Sequence, residues 1–354
     1  MHSPLLKEIP MNKMMLPVLL SSVVAAQALA MSKTPEPLPD VGTVNKTVRF
    51  IAIGDMGTGD DGQYKVAAAL ESVCAERGCD FAIGLGDNIY EAGVDSVSDI
   101  QFQTKFEDPY KNLNFPFYMT LGNHDNSWLF GGDGLDNDKG DIQVDYHYQQ
   151  NRPSNKWQMP ARYYTFSAPL NEEQPLVNFF SLDSNPLAAV GDADAEYWQL
   201  PYKKTQAKWI DRELNDASAP WKIAFAHHPF LSNGKHGNAG MYDGFPGAGV
   251  VYYDMLKDHV CNKVDVMIAG HDHELQFLKP VDKCGKTLHM VSGAGGKSRE
   301  FKDTERNAAY WQQDKTLGFF YIEIAGDEFR ATSYTVDKVS GEVTRAFDKT
   351  LTRQ

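Results

Sequence analysis

Five apolar runs along this chain are each followed at once by a short polar group, and this repeated pattern is the strongest constraint on the fold. In an open α/β sheet, the loops at the carboxyl ends of the strands form the binding crevice. The pattern therefore predicts an α/β fold in which oxygen and imidazole donors converge at the strand ends. The five groups are Gly54-Asp55-Met56-Gly57, Gly86-Asp87-Asn88-Ile89-Tyr90, Gly122-Asn123-His124-Asp125, Ala226-His227-His228-Pro229 and Gly270-His271-Asp272-His273.

Apolar, β-branched runs alternate with amphipathic stretches from residue 48 onward, as in βαβ units. Strands are predicted at 48–53, 81–85, 115–121, 177–182, 222–226, 264–269 and 287–291, and helices at 64–77, 98–107, 206–215 and 251–260. The last two apolar runs, 318–325 and 328–337, predict a hairpin that closes a sheet. The Gly/Asp/Asn-rich stretch 126–162 has no clear periodicity, so we expect a surface excursion that overhangs the site.

The charge of the chain limits the partners that it can bind. Its 354 residues include 34 Lys+Arg and 47 Asp+Glu, a formal net charge of −13, and 42% of them are hydrophobic. This composition is that of a globular protein with one large or two medium domains, and it excludes a disordered chain. Because an acidic chain without a basic run repels polyanions, we expect a small substrate and no nucleic acid partner.

The first 30 residues have the pattern of a secretory signal, with a lysine and a short apolar stretch that leads to Ala28-Leu29-Ala30. Cleavage is expected near Ala30, and Met11 is an alternative translation start. An N-terminal membrane anchor is the less favoured alternative, because Pro17 and small polar residues leave the apolar span too short for a bilayer. We therefore expect a signal peptide at 1–30, an extended leader at 31–46 and a single domain at 47–354, in a secreted or periplasmic protein without stable membrane insertion.

The four cysteines do not have the spacing of a zinc site, and export would allow them to form disulfides. Cys74 with Cys79 and Cys261 with Cys284 are plausible pairs by sequence proximity, but four cysteines permit three connectivities and free thiols also remain open. A metal ion in this protein would be held by oxygen and imidazole donors, which suit borderline or hard first-row ions.

In order and spacing, the five polar groups resemble the motif set of the calcineurin-like metallophosphoesterases. Asp87-Asn88-Ile89-Tyr90, with the tyrosine three residues after the aspartate, resembles the purple acid phosphatases, and the closest resemblance is to the small mammalian-type tartrate-resistant enzymes. The resemblance extends from about residue 48 to residue 337. It implies a four-layer αββα sandwich of two mixed sheets flanked by helices, with a dinuclear metal centre.

The resemblance also implies a role for individual residues. A ferric ion would be held by Asp55, Asp87, Tyr90 and His273, and a second, divalent ion (iron, zinc or manganese) by the bridging Asp87 with Asn123, His227 and His271. His124 and His236, nine residues after His227, would lie beside the metals and contact the substrate as catalytic residues. Either imidazole could protonate the leaving group, and we favour His124 for phosphate binding and His236 for protonation.

Several of these residues also have a purely structural interpretation. Asp55 and Asp87 belong to the residue type that caps helices after strands, Asn123 could be a turn residue and Tyr90 a core residue. For any one of them alone the structural interpretation is reasonable. Their place in a five-part series favours a role as ligands.

The sequence also departs from the family pattern. Met56 stands where mammalian-type members carry an aromatic residue, which would alter one wall of the pocket. His227 is preferred to its neighbour His228 as a ligand only by the family's His-x-Pro pattern. The stretch 293–298 is similar to a phosphate-binding loop, but Val291 stands where such a loop needs glycine, so we interpret it as a turn at the rim of the site.

These observations predict an exported acid phosphatase that hydrolyses small phosphate monoesters through metal-bound hydroxide at an Fe(III)–M(II) centre, without a phosphoenzyme. Two alternatives stay open. The same centre would serve a phosphodiesterase or nucleotidase, and a catalytically silent metal- or phosphate-binding protein would use the same scaffold. The sequence predicts no oligomeric state.

Overall fold

The structure is a computed structural model and describes residues 46–127, 136–189 and 191–353. The predicted signal peptide and all but the last residue of the predicted leader lie outside the described residues. In the described part of the chain, no helix is long and apolar enough to cross a membrane.

Fourteen strands and six helices form the framework of the described residues. The strands are β1 Thr47–Ile53, β2 Phe81–Gly84, β3 Phe117–Met119, β4 Trp157–Gln158, β5 Tyr164–Ala168, β6 Val177–Ser181, β7 Trp221–Phe225, β8 Val266–Ala269, β9 Leu275–Leu278, β10 Leu288–Ser292, β11 Ala309–Gln313, β12 Leu317–Ala325, β13 Glu328–Val336 and β14 Val343–Thr352. The helices are α1 Asp61–Arg77, α2 Ile100–Phe102, α3 Asp141–His147, α4 Asn185–Ala188, α5 Gln199–Asp216 and α6 Val250–His259, and α2 continues as a π-helical turn over Gln103–Glu107.

The strands form two mixed sheets of seven strands each. The order in the first sheet is β14-β13-β12-β1-β2-β3-β4, and the order in the second is β11-β9-β10-β8-β7-β6-β5. β1, β2, β3 and β4 pair in parallel, whereas β12 runs antiparallel to β1. In the second sheet β6, β7, β8 and β10 pair in parallel.

The two sheets pack face to face, and helices cover their outer faces. Val48, Phe50 and Ala52 of β1 belong to the core between the sheets, whereas Ile51 and Ile53 pack toward α1. This alternation follows from the two-residue period of a strand. Across the second sheet, α5 and α6 pack on a separate outer core. The predicted architecture of two mixed sheets flanked by helices is confirmed.

The loop that carries the first polar group leads directly into α1. The Asp60 carboxylate caps this helix by accepting a hydrogen bond from the backbone N–H of Gln63, 3.4 Å away. The helix ends at Gly78, whose φ of 76° lies in the region that favours glycine. Both ends of α1 are therefore set by local sequence.

The prediction of a surface excursion over 126–162 is wrong for the described part of this segment. It contributes 3₁₀ and α-helical turns, α3, and strand β4 at the edge of the first sheet. Trp157 is fully buried and its Nε1 donates a hydrogen bond to the backbone oxygen of buried Gln143, 3.1 Å away. Buried polar side chains such as Asn137 and Gln143 hide the periodicity of this segment.

The final hairpin forms as predicted from β12 and β13, but it does not close the sheet. β14 pairs antiparallel with β13 and forms the edge of the first sheet. Most residues of β14 are exposed or half-buried, so the strand lacks the apolar run that marks a buried strand. Both proximity pairs of cysteines form disulfides, Cys74–Cys79 and Cys261–Cys284.

Replacing His289 is expected to stabilise the protein in acid. This histidine is buried in β10, its Nε2 has no hydrogen-bond partner among the described residues, and burial with nearby Lys283 lowers its pKa from 6.5 to about 3. The unfolded chain therefore binds a proton that the folded chain does not, so stability is lost as pH falls from 6.5 toward 3. At pH 5 this loss is about 2 kcal/mol.

The test of this prediction is urea unfolding of His289→Leu and of the native protein at pH 8 and pH 5. The free energy of unfolding of the variant, relative to the native protein, is expected to improve by about 2 kcal/mol on acidification. Half-buried His259, which lies 2.8 Å from the Asp211 carboxylate, provides the control variant His259→Gln, with no such gain. An equal acid dependence in His289→Leu and the native protein would contradict the prediction.

Candidate metal centre and active site

The polar groups meet where the carboxyl ends of strands from both sheets come together. Asp55 follows β1, Asp87 and Tyr90 follow β2, Asn123 follows β3, His227 follows β7, and His271 and His273 follow β8. All seven side chains are buried. The structure thus gathers the complete set of sequence-predicted metal ligands at one place.

Three of these residues have an unusual backbone conformation. Asp55, Asp87 and His271 have φ values of 56°, 52° and 69°, which side chains other than glycine rarely adopt. Such left-handed residues persist where the surrounding structure fixes them, and they are concentrated at functional sites. The neighbouring loop also has to approach closely, since a Cβ atom on Gly122 would lie 2.3 Å from Asp87 Oδ1.

One half of the cluster combines a carboxylate, a phenol and an imidazole. The Tyr90 hydroxyl donates a hydrogen bond to Asp55 Oδ1 at 3.1 Å and lies 3.3 Å from His273 Nε2. His273 Nε2 is itself 3.3 Å from Asp55 Oδ1. These three side chains therefore present their donor atoms to a common point.

The other half combines an amide and two imidazoles. Asn123 Oδ1 lies 2.8 Å from His227 Nε2 and 3.2 Å from His271 Nδ1. The two imidazole nitrogens are 3.1 Å apart. Asp87 lies between the two halves, with its Oδ1 3.4 Å from His227 Nε2, and donor atoms of Asp55, Asp87 and His227 all lie within 4.8 Å of one another.

The hydrogen-bond partners of His227 show that this arrangement fits a cation. Its Nδ1 lies 2.8 Å from the backbone oxygen of Leu85, which only accepts hydrogen bonds, so Nδ1 carries the proton. In the neutral imidazole, Nε2 then presents a lone pair to Asn123 Oδ1, which is also an acceptor. Facing acceptors repel each other unless a positive charge lies between them, which is the requirement that a metal ion meets.

Burial and neighbouring polar groups shift the pKa values of several residues of the cluster. Burial raises the pKa of Asp55 to about 7 and, together with the Asp55 and Asp87 carboxylates, raises the pKa of Tyr90 well above its usual value. Burial also opposes ionisation of Asp87, but its electrostatic interactions with the His227 and His124 side chains and the hydrogen bond from the His124 backbone N–H lower its pKa to about 2. Burial and then Arg299 lower the pKa of His273 to about 3, which favours the neutral, metal-binding form of its imidazole.

A further buried aspartate, for which the sequence predicts no role, holds two of the site loops together. Asp125 accepts hydrogen bonds from the backbone N–H groups of Asn88, Ile89 and Gly122 at 2.9, 3.0 and 2.7 Å. Gln143 Nε2 of α3 donates a further bond at 2.9 Å. Asp125 thus ties the loop of Asp87 to the loop of Asn123. Its membership of the third polar group was the available signal.

Four residues of the cluster, Asp87, Asn123, His271 and His273, line an open cavity of about 400 Å³. Its lining residues are Asp87, Glu91, Asn123, His124, Lys235, His236, Asp243, His271, His273, Lys297 and Arg299.

Both predicted catalytic histidines line this cavity, whereas buried Met56 packs in the core behind the first sheet and is not part of the lining. The expectation that Met56 alters a pocket wall is wrong. Among the described residues, none of segment 136–162 lines the cavity, so that part does not overhang it.

The two histidines are held in different ways. His124 donates its backbone N–H to Asp87 Oδ1 at 2.9 Å, and its Nδ1 lies 2.7 Å from the backbone oxygen of Glu91. His236 Nδ1 lies 2.9 Å from Asp243 Oδ1, and its Nε2 lies 2.9 Å from Arg299 Nη1. Burial opposes protonation of His236, but its hydrogen bond to Asp243 and the nearby Asp272 carboxylate raise its pKa.

Sequence reasoning missed the charged residues of the cavity wall. Lys297 and Arg299 lie at and just after the turn that was predicted at the rim, and that turn touches the first polar group through a hydrogen bond from Gly295 N to Gly54 O of 3.0 Å. Lys235 and Asp243 lie in the loop that carries His236. Lysine and arginine are common at protein surfaces, so no sequence signal marked these residues.

His228, the neighbour of His227, directs its Nδ1 to a residue outside the cluster. Its Nδ1 lies 2.8 Å from Ser184 Oγ, and its ring packs 4.4 Å from the ring of His271. Burial and then His227 lower its pKa well below the usual value. His228 thus supports His271 by packing.

Comparison with known proteins identifies the same family that the motifs resemble. The family model of the calcineurin-like phosphoesterases matches residues 48–275. Tartrate-resistant acid phosphatase type 5 of Oryctolagus cuniculus is 27% identical over 318 residues, which cover 83% of this chain and 89% of the relative. Purple acid phosphatase 3 of Arabidopsis thaliana is 27% identical over 307 residues, which cover 82% of this chain and 75% of the relative.

Solved structures share the fold. GAP50, described as the anchor in the inner membrane complex of Plasmodium, matches with a TM-score of 0.67 and 20% identity over 87% of this chain and 90% of its own. A dimetal phosphatase from Danio rerio matches with a TM-score of 0.54 and 15% identity over 87% of this chain and 99% of its own. Fold, motif order and family match agree, and the chain belongs to the calcineurin-like phosphoesterase family.

Proposed function

We propose that this protein is an acid phosphatase that hydrolyses phosphate monoesters at a dinuclear metal centre. The observation that carries the proposal is the convergence of seven buried donor side chains beside a cavity that four of them line, with His227 Nε2 and Asn123 Oδ1 only 2.8 Å apart. Acid phosphatases among its relatives supply the reaction class. The non-catalytic alternative is disfavoured, because this chain keeps every side chain of the implied ligand set.

The two halves of the cluster suit two different ions. Tyr90, Asp55 and His273 provide phenol and carboxylate oxygens and one imidazole, a set that suits Fe(III). Asn123, His227 and His271 provide one oxygen and two imidazoles, a set that suits a divalent ion such as iron, zinc or manganese. Asp87 would bridge the two. Such a pair of ions activates water as a nucleophile and holds the attacking and leaving oxygens of an in-line displacement.

The protein's own groups then orient the substrate and move the proton. His124 is fixed through its backbone to Asp87, and its Nδ1 is fixed to the backbone oxygen of Glu91, which leaves Nε2 for a phosphate oxygen. His236 is fixed by Asp243 on Nδ1. Its Nε2 accepts a hydrogen bond from Arg299 Nη1 in this structure, so it would deliver a proton to the leaving oxygen only after it has left Arg299 and taken up that proton. The raised pKa of His236 suits a proton donor in mildly acid solution.

Export of the protein is part of the proposal. Two disulfides use all four cysteines, and disulfides persist in oxidising compartments. The sequence pattern of residues 1–30 supplies the route, as a signal peptide ahead of a single domain at 47–354. A secreted or periplasmic location is therefore proposed.

The reaction is tested by measuring hydrolysis of p-nitrophenyl phosphate and of bis-p-nitrophenyl phosphate between pH 4 and pH 8. The monoester is expected to be the better substrate, and the rate of its hydrolysis is expected to be greatest below pH 7. Removal of the metal by a chelator is expected to abolish this activity, and addition of metal is expected to restore it. Preferential cleavage of the diester would instead favour a phosphodiesterase. A full rate after complete removal of metal would overturn the proposal.

The ferric half of the centre makes a separate optical prediction. A phenolate bound to Fe(III) gives a visible charge-transfer band, so Tyr90→Phe is expected to lose the colour of the native protein while the iron bound to its other ligands remains. Tyr64→Phe, in which the replaced tyrosine is half-exposed on α1, is the matched control and keeps the band. A colourless native protein that contains iron, or a band that survives in Tyr90→Phe, would contradict the role of Tyr90.

A further inference from the structure

The wall of the cavity carries cations that form no ion pair among the described residues. Three cations line the cavity, Lys235, Lys297 and Arg299, together with three carboxylates. One carboxylate, Asp87, belongs to the proposed centre, and the other two, Glu91 and Asp243, belong to the wall. Both carboxylates are already paired, since Glu91 Oε1 lies 2.8 Å from Lys297 Nζ and Asp243 Oδ1 lies 2.9 Å from His236 Nδ1. Among the described residues, Lys235 and Arg299 are thus the two cations of the wall without a carboxylate partner.

Arg299 is the cation with the most unused hydrogen-bonding capacity. Of its five N–H donors, Nη1 lies 2.9 Å from His236 Nε2, and among the described residues no carboxylate lies within 4.0 Å of its guanidinium. Its backbone is fixed on both sides, because its N–H donates to His273 O at 3.1 Å and its oxygen accepts from Lys315 N at 3.0 Å. The guanidinium thus lies beside the cavity on a fixed backbone, with no anionic partner in the described part of the chain.

The cations stand on two sides of the proposed centre. On one side, a single imidazole separates Arg299 from the centre, because the His236 ring packs 4.2 Å from the ring of His271. On the other side, Lys297 Nζ lies 3.5 Å above the Tyr90 ring. Exposed Lys235 is adjacent in sequence to His236 and also lines the cavity. A substrate whose scissile phosphate lies on the centre would therefore extend past these cations.

We propose that the preferred substrate carries a second phosphate group, which Arg299 binds with the help of Lys235. This inference rests on the proposed function and names its substrate class. A guanidinium pairs with two oxygens of a phosphate at once, and such charge-assisted pairs are about twice as strong as neutral hydrogen bonds. A tetrahedral dianion with three free oxygens can accept from several separate cations, whereas a planar carboxylate offers only two oxygens.

The experiment compares fructose 1,6-bisphosphate with fructose 6-phosphate, with p-nitrophenyl phosphate as the baseline substrate. For the native enzyme, kcat/KM is expected to be at least about tenfold higher for the bisphosphate, the effect of one charge-assisted pair. Arg299→Gln is expected to lose most of this ratio, because both sugar phosphates keep the contacts with the centre but only the bisphosphate loses a partner. Arg299→Lys is expected to recover part of it.

Arg212→Gln is the matched control, since Arg212 is an exposed cation of α5 that pairs with its neighbour Glu213. Its ratio is expected to equal that of the native enzyme. If Arg299→Gln does not fold, as judged by its melting temperature, Lys235→Gln carries the test and must lower the ratio in the same direction.

The outcomes separate this inference from the proposed function. Absence of p-nitrophenyl phosphate hydrolysis by the native enzyme would overturn the proposed function and this inference with it. Hydrolysis of that substrate with equal kcat/KM for the two sugar phosphates, or with an unchanged ratio in Arg299→Gln, would overturn this inference alone. The ratio of kcat/KM for 3-phosphoglycerate to that for glycerol 3-phosphate measures the preference for a carboxylate as the second anionic group. If this ratio exceeds the ratio for the two fructose phosphates, the cations bind a carboxylate, and the proposal of a second phosphate is overturned.

Discussion

Asp87→Asn is expected to lower kcat/KM for p-nitrophenyl phosphate by more than about 100-fold and to lower the metal content of the protein. Residues that merely support metal ligands typically cost 10–100-fold when changed, so a ligand placed between two ions should cost more. Asp87 lies between the two halves of the cluster, with Oδ1 3.4 Å from His227 Nε2. An asparagine keeps the shape and one carbonyl oxygen, but it supplies no negative charge to either ion.

The isosteric change also protects this test from a folding artefact. The amide of the substituted side chain would still offer an oxygen to the backbone N–H of His124, which lies 2.9 Å from Asp87 Oδ1 in the native protein. The melting temperature of the metal-free protein is therefore expected to change little. Asp258→Asn, on the exposed side of α6, is the charge-matched control with native activity. Substantial hydrolysis by Asp87→Asn with a native metal content would contradict the role of Asp87 as a ligand shared by the two ions.

Arg162→Met is expected to destabilise the fold by about 3–5 kcal/mol, the cost of leaving a buried charge without its partner. Arg162 Nε donates to Asp183 Oδ2 at 2.7 Å, and the Asp183 side chain is fully buried. Arg162 Nη1 also donates to Asp141 Oδ1 at 2.9 Å and to the backbone oxygen of Asn137 at 2.7 Å. One guanidinium thus joins the segment before α3 to the second sheet.

Urea unfolding with the free energy extrapolated to water measures this effect. Arg330→Met is the control, because Arg330 forms a similar pair with Asp348 at 3.0 Å, but both side chains are about one third exposed. Exposed pairs contribute about 0–1 kcal/mol, so the control variant is expected to be nearly as stable as the native protein. Equal losses in the two variants would show that the burial of Arg162 does not matter.

The sequence predicts the fold well where one face of an element is apolar. Strand β1 alternates between the inter-sheet core and the outer core, and its apolar run marked it at 48–53. The segment after residue 136 was misjudged because it is stabilised by buried polar contacts, such as Arg162 with Asp183 and Asn137. Hydrophobic periodicity carries no signal for contacts of this kind.

The site shows the same division. Its ligand-type residues follow apolar strands, so their convergence could be predicted from the rule that strand ends form the crevice. The cavity wall could not be predicted in this way, because the position of Arg299 depends on the packing of its backbone between His273 and Lys315. His236 was found only through its spacing from His227, and its partners Asp243 and Arg299 became visible in the structure.

One buried cluster is proposed to hold two metal ions, and anomalous X-ray scattering from crystals of the active enzyme locates such ions directly. Two anomalous peaks are expected, about 3.5–4 Å apart and on either side of Asp87. One would lie among Asp55, Tyr90 and His273 and would scatter at the iron edge, and the other would lie among Asn123, His227 and His271. Fully active crystals with a single peak, or with no metal between these side chains, would contradict this proposal.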